Sequence, residues 1–228
     1  MYTIWGNHGK ECSFFSALPA LFAAAQMYHG NFDISDIAEK FQQKYGYSFQ
    51  EFVDLDLVND TEDEPTHWHN PCRYLLFNDP FLGLFDYTVT DDLSERYAAA
   101  VQKIGASVNG RSYDYIFDFH HKLLQVMVRK CDLGRRIRKA YDGKDKNALQ
   151  AILHEDFPAL DTDIRAMYYA LKKSWYIENK SFGFEVQDQR FGGLLFRLQQ
   201  CADRLQAYVN GDLDQIEELE EKQLEVHP

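Results

Sequence analysis

Apolar residues recur at helical spacing along most of this chain, with polar and glycine breaks at short intervals. Ile34, Ile37, Ala38 and Phe41 fall three and four apart and predict a helix to about Tyr45, capped by Asp33 or Ser35 and stopped by Gly46. Ser48 and Glu51 have the spacing of a capping box for a short helix carrying Phe49, Phe52 and Val53. From Asp91 the pattern is helical almost throughout. Helices are predicted over residues 91–104 and 112–141, the second with Phe119, Leu123, Met127 and Cys131 spaced by four along one stripe. Residues 146–154 form a short helix, and another begins near Pro158 and ends near Lys180. A last full-length helix covers 187–209 and stops at Gly211, and the acidic run 213–224 reads as a short exposed helix. Three long antiparallel helices on short connections make a bundle.

Three stretches depart from that pattern. Residues 54–64 are acidic, are followed by Pro65, and read as an exposed loop. Residues 70–86 contain Pro71, Pro80 and Gly83 among apolar clusters and read as a buried, irregular connector. At the other end, Tyr2, Thr3, Ile4 and Trp5 read as one strand that leads through a glycine-bearing turn into an apolar helix over 14–28. A lone strand cannot pair its own backbone groups, so the rest of its sheet is expected upstream. The expected organisation is a residual β/α unit over residues 1–30 and an all-α domain over 31–228, a mainly α chain overall.

Composition narrows the partners. With 45% hydrophobic and 15% aromatic residues the chain can bury a core. Its net charge of −12 argues against a nucleic-acid backbone or an anionic membrane as partner. Arg135, Arg136, Arg138 and Lys139 read as a solvated or acid-pairing face. Cys12, Cys72, Cys131 and Cys201 are widely spaced, which fits reduced cysteines and a cytoplasmic setting, with export left open. Neither His67 and His69 nor the adjacent pair His120 and His121 has metal-ligand spacing, so no metal or cofactor is expected. Ser13 and Ser16 lack a nucleophile-elbow context, and Cys12 has no identifiable histidine partner.

Two segments carry candidate chemistry. In the first, Trp5, Gly6, Asn7, His8, Gly9, Lys10 and Glu11 follow a strand and precede a helix, the catalytic face of a closed parallel barrel. The Trp5 indole suits stacking on a sugar, and Asn7 and Glu11 can hydrogen-bond hydroxyl groups; alternatively Trp5 is core and the glycines only make a turn. In the second, around 179–193, Glu185, Gln187, Asp188 and Arg190 lie between aromatics and the pair Gly192 and Gly193. Glycine inside a helix costs about 1 kcal/mol relative to alanine, so close helix packing or contact with a neighbouring site or subunit should offset it.

Thr3 through Ser13, followed by Ser16, Ala17, Leu18, Pro19, Ala20 and Leu21, resembles the last strand and helix of the catalytic barrel in glycoside hydrolase family 20. The similarity is to the bacterial β-N-acetylhexosaminidase branch with a helical C-terminal domain. Asn70, Pro71, Cys72, Arg73, Tyr74, Leu75 and Leu76, then Asn78, Asp79 and Pro80, then Leu82, Gly83, Leu84, Phe85 and Asp86 resemble that branch's segment after the barrel. Phe182, Gly183, Phe184, Glu185, Val186, Gln187 and Asp188, with Arg190, Gly192 and Gly193, resemble its late helical signature.

The resemblance implies hydrolysis of terminal β-linked N-acetylglucosamine or N-acetylgalactosamine by substrate-assisted catalysis, the exception to the two-carboxylate scheme. It also implies that the Asp-Glu pair lies on an earlier barrel strand, so no catalytic residue is expected in this chain. Trp5, Asn7 and Glu11 are the implied sugar-binding residues, although the family usually has an acidic residue near Asn7. Glu185, Asp188 and Arg190 are expected to support the site or meet a second subunit. The implied partners are N-acetylated amino-sugar glycans, the upstream barrel and a second copy of the chain. The rival reading is a non-enzymatic helical module whose apolar faces bind a protein.

Overall fold

Helical patterning becomes helix almost everywhere in the computed structural model, which describes residues 13–59 and 71–224. Ser13 caps a short 3-10 turn, Phe14–Ala17, that leads into α1 (Leu18–Tyr28). Helix α2 (Ile34–Tyr45) starts at Asp33, whose carboxylate accepts from the N–H groups of Ser35 and Asp36, and ends at Gly46 with φ of +76°. The capping box of Ser48 and Glu51 opens α3 (Phe49–Val53). Next come α4 (Pro71–Phe77), α5 (Leu93–Gly105), α6 (Asp114–Lys130), α7 (Leu133–Asp142) and α8 (Lys146–Ala151). A π turn, Ile152–Asp156, joins α8 to α9 (Phe157–Glu178). Helix α10 (Phe184–Asn210) ends at Gly211, and α11 (Glu217–Glu220) lies in the acidic tail. No strand occurs among the described residues, and the strand expected over 2–5 lies outside them.

The core forms where α9 packs against α6 on one side and α10 on another, with α5 on the remaining side of α6. Leu124, Val126 and Met127 of α6 meet Leu160, Ile164 and Met167 of α9 in a common core, all fully or almost fully buried. Burying a side chain of this size contributes about 1.5–3 kcal/mol, so this seam is a large contributor to the fold's stability. The mainly α bundle expected from the spacing is the architecture observed.

Several boundaries differ from expectation, each for a tertiary reason. The helix expected over 112–141 breaks at Cys131 and Asp132. The break lets Gly134 approach the 78–86 segment so closely that an added Cβ would lie 2.8 Å from Asp86 Oδ2 and 3.1 Å from the Pro80 carbonyl oxygen. The guanidinium of Arg136 spans the break, donating to the Arg129 carbonyl at 3.1 Å and pairing with Asp132 and Asp156. Within the supposed loop, Asp54–Asn59 is a 3-10 helix that buries Leu55 and Val58, and Asp54 pairs with Lys103 at 2.9 Å. The supposed connector begins with a helix, α4, that buries Cys72, Leu75 and Leu76.

The rest of that connector is irregular yet tightly held. Asn78 Nδ2 donates to Asp86 Oδ1 at 2.7 Å, and Gln223 Nε2 donates to Asp86 Oδ2 at 3.0 Å. The buried Lys130 ammonium donates to the Asn78 carbonyl at 2.6 Å and the Leu75 carbonyl at 3.3 Å. Asp79 takes both arms of Arg197, at 2.6 and 3.0 Å. The acidic tail is not an exposed helix: Ile216 and Leu219 are buried, and Arg138 donates to the Leu219 carbonyl at 2.8 Å. Arg138 therefore serves as a clamp on the tail and on the Phe81 carbonyl, whereas Arg135 and Arg136 do pair with acids.

Candidate functional site

The late signature segment folds around the end of α9. Trp175 donates its indole N–H to the Lys180 carbonyl at 2.8 Å, which turns the chain back after Asn179. Gly183 has φ of +92°, and a Cβ there would press to 3.4 Å on the Trp175 ring, so both conformation and space require glycine. The Glu185 carboxylate accepts from the Gly183 N–H at 2.8 Å and closes the turn into α10. Asp188 accepts from the Tyr168 hydroxyl at 2.6 Å, and this bond together with burial pushes the phenol up to about 12. Arg190 borders a cavity of about 300 Å³ with Arg73, Tyr74, Phe77 and Phe85. The first two turns of α10 carry all three, but Arg190, two residues on from Asp188, lies about 200° around the helix from it and is not brought to the same place.

The aromatics of this region divide in two. Trp175, Phe184 and Phe191 are buried; Phe184 packs 5.5 Å from Trp175, and Phe191 lies 5.9 Å from Tyr168, between ring centroids. These belong to the chain's own core rather than to a surface cluster. Tyr169, Tyr176 and Phe182 remain exposed.

Immediately beside this turn the N-terminal segment is fastened to the bundle. The Glu178 carboxylate, on the last residue of α9, accepts from the Ser13 hydroxyl and from the Phe14 N–H, the latter at 3.2 Å. Burial first, and then the neighbouring Glu178 carboxylate, hold the phenol of Tyr115, at the start of α6, well above the ordinary range. The Ser13 oxygen in turn accepts from the Phe15 N–H at 3.0 Å, and Phe15 packs on Tyr113 at 5.6 Å. A carboxylate is the side chain suited to meeting several donors at once, because it is acceptor-only with about four lone-pair sites. Glu178 was not legible as functional in the sequence, where it is only the last polar residue of a helix.

A cavity of about 390 Å³ lies behind this junction, bordered mainly by apolar groups such as Leu76, Phe119, Met167 and Phe191, with Ser16 at its N-terminal edge. His120 faces it and is held neutral, since full burial lowers its pKa, while Nδ1 lies 2.8 Å from the Ile116 carbonyl oxygen. Trp5, Asn7 and Glu11 lie outside the described residues, as do Cys12, His67 and His69. Among the described residues no group of three His, Cys, Asp or Glu side chains could hold a metal ion, and no helix is long and apolar enough to cross a membrane. Cys72, Cys131 and Cys201 are free and buried. The carboxylates of Glu178, Glu185 and Asp188 all accept hydrogen bonds from within the chain, an arrangement that holds backbone and side chains in place.

Residues 48–228 match the Glycoside Hydrolase 20C C-terminal domain. No curated protein matches the chain.

Proposed function

We infer that this chain, which belongs to the Glycoside Hydrolase 20C C-terminal domain family, is the C-terminal part of a β-N-acetylhexosaminidase. The whole enzyme removes terminal β-linked N-acetylglucosamine or N-acetylgalactosamine with help from the substrate's own acetamido group. In it Trp5 lines the sugar subsite, with Asn7 and Glu11 beside it, and the helical domain buttresses the barrel. The observation that carries this reading is the family match over 48–228, joined by the Glu178 anchor that fastens the Ser13 end of the preceding segment to the bundle. The test is release of a chromogenic aryl group from its N-acetyl-β-glucosaminide and N-acetyl-β-galactosaminide. The chain alone is expected to release none, because it lacks the acid and the acetamido-orienting carboxylate. The natural protein with its upstream barrel is expected to turn over, and its failure on both substrates overturns the reading.

Self-association through α10 is the second part of this reading. Phe182 and Phe196 are 84% and 80% exposed, and a Cβ at Gly192 or Gly193 would meet nothing within 4 Å. Close helix packing within the described residues therefore does not offset the glycines. Projecting aromatics beside glycines with open space around them suit the isologous contact of a two-fold dimer. Sedimentation equilibrium should give a dimer for the chain and a monomer for Phe196→Glu; a monomeric parent chain at high concentration overturns this part.

A further inference from the structure

Two segments far apart in sequence meet at one carboxylate. Ser13 directly follows the segment that carries Trp5, Asn7 and Glu11, and Glu178 directly precedes the 179–193 signature. Between them the Glu178 carboxylate receives the Ser13 hydroxyl and the Phe14 N–H. Ser13 cannot shift along the chain direction without breaking its own cap on Phe15 as well. The contact is not an ion pair, because both donors are neutral.

We propose that Glu178 is a positioning residue of the glycosidase: through Ser13 and Phe14 it fixes where the sugar-facing segment leaves the helical domain. The proposal rests on the hexosaminidase reading above. Its physical basis is that a displacement of about 1 Å in a substrate-positioning group can cost about 100-fold in rate. The chemistry at Glu178 is specific. An amide there keeps the size but has one acceptor oxygen, and its NH2 group would face donors.

The experiment uses the whole natural enzyme with Glu178→Gln, Ser13→Ala and the double variant. Each is assayed for kcat and KM on the chromogenic N-acetyl-β-glucosaminide beside a thermal melt. Glu178→Gln is expected to melt within a few degrees of the parent yet lose about 10- to 100-fold in kcat/KM. Ser13→Ala should lose a similar factor, and the double variant no more than the worse single one, since both cut the same link. An active parent whose Glu178→Gln and Ser13→Ala variants keep full kcat/KM overturns the positioning role alone, as do losses that multiply in the double variant or merely track the unfolded fraction. A parent inactive on both amino sugars overturns the hexosaminidase reading and this role with it.

Discussion

The Tyr47 hydroxyl donates to Asp114 Oδ1 at 2.9 Å and accepts from the Tyr113 N–H at the same distance, joining the turn after α2 to the start of α6. The other Asp114 oxygen takes the N–H groups of Asn109, Gly110 and Arg111, so one carboxylate organises the whole α5–α6 connection.

That arrangement makes stability acid-sensitive. Burial raises the Asp114 pKa, but the Arg111 N–H, the Tyr47 hydroxyl and the other N–H donors outweigh it, and the net direction is down from 3.8. A carboxyl group with a lowered folded pKa contributes stability above its unfolded pKa and loses it as pH falls through the folded value. Asp114→Ala should therefore cost about 3 kcal/mol at pH 7, measured by urea unfolding, with the gap to the parent narrowing below about pH 4. An unchanged gap at low pH would show that the charge is immaterial.

Lys130 should act in the opposite pH range. Full burial lowers its pKa to about 8, against the pull of Asp86 and Asp79. Between about pH 8 and 10.5 the unfolded chain binds the proton that the folded chain has lost, so this group's contribution to stability rises with pH. Buried Cys131 and Cys201, each pushed up to about 12, work against it above pH 9. The readout is therefore the difference between the parent and Lys130→Met, followed from pH 7 to 10. The parent should gain on the variant as pH rises. Lys130→Ala, which leaves the Asn78 and Leu75 carbonyls and a cavity behind, should cost about 3 kcal/mol or more.

Two glycine-to-alanine substitutions should have opposite signs. Alanine is the better helix former by about 1 kcal/mol, and nothing among the described residues opposes it at Gly193. Gly193→Ala should raise the melting temperature of the monomer by a few degrees. Gly134→Ala should lower it, because Asp86 and the Pro80 carbonyl occupy the space. Equal shifts in one direction would mean that the close approach at Gly134 is not real.

Phe184→Ala should cost about 3–5 kcal/mol, as expected of a core phenylalanine. Phe182→Ala, at an exposed position two residues away, should leave the melt almost unchanged. A mild Phe184 variant would mean that this ring carries no core packing.

Local chemistry was readable in the sequence and distant chemistry was not. The caps at Asp33 and Ser48 and the stops at Gly46 and Gly211 lie where the spacing places them, because each depends on a residue within three or four positions. The break after Lys130 was invisible, since Met127 and Cys131 continue an unbroken stripe and the reason for stopping is Asp86, more than forty residues away. The buried tail was misread for a similar cause. Its acidic residues look solvated, but Tyr141 and Arg138 hold Glu220 and the Leu219 carbonyl. At the candidate site Glu185, Asp188 and Arg190 stand out by composition, whereas Glu178 is defined by what a separate segment brings to it.

The π turn between α8 and α9 is one residue longer per turn than regular helix. Because that wider winding carries five residues through about the same angle as four in a regular helix, the extra residue is absorbed without changing which side of α8 faces inward. Leu149 is wholly buried and Lys146 reaches the Tyr208 and Val209 carbonyls on that account. Deleting one residue from 152–156 would let the two helices merge into one regular rod with those contacts kept, whereas deleting one from the regular turns of α8 would rotate what precedes it by about 100°. The stretch is thus the one place in α8 and α9 where chain length can change by a residue at little cost to packing.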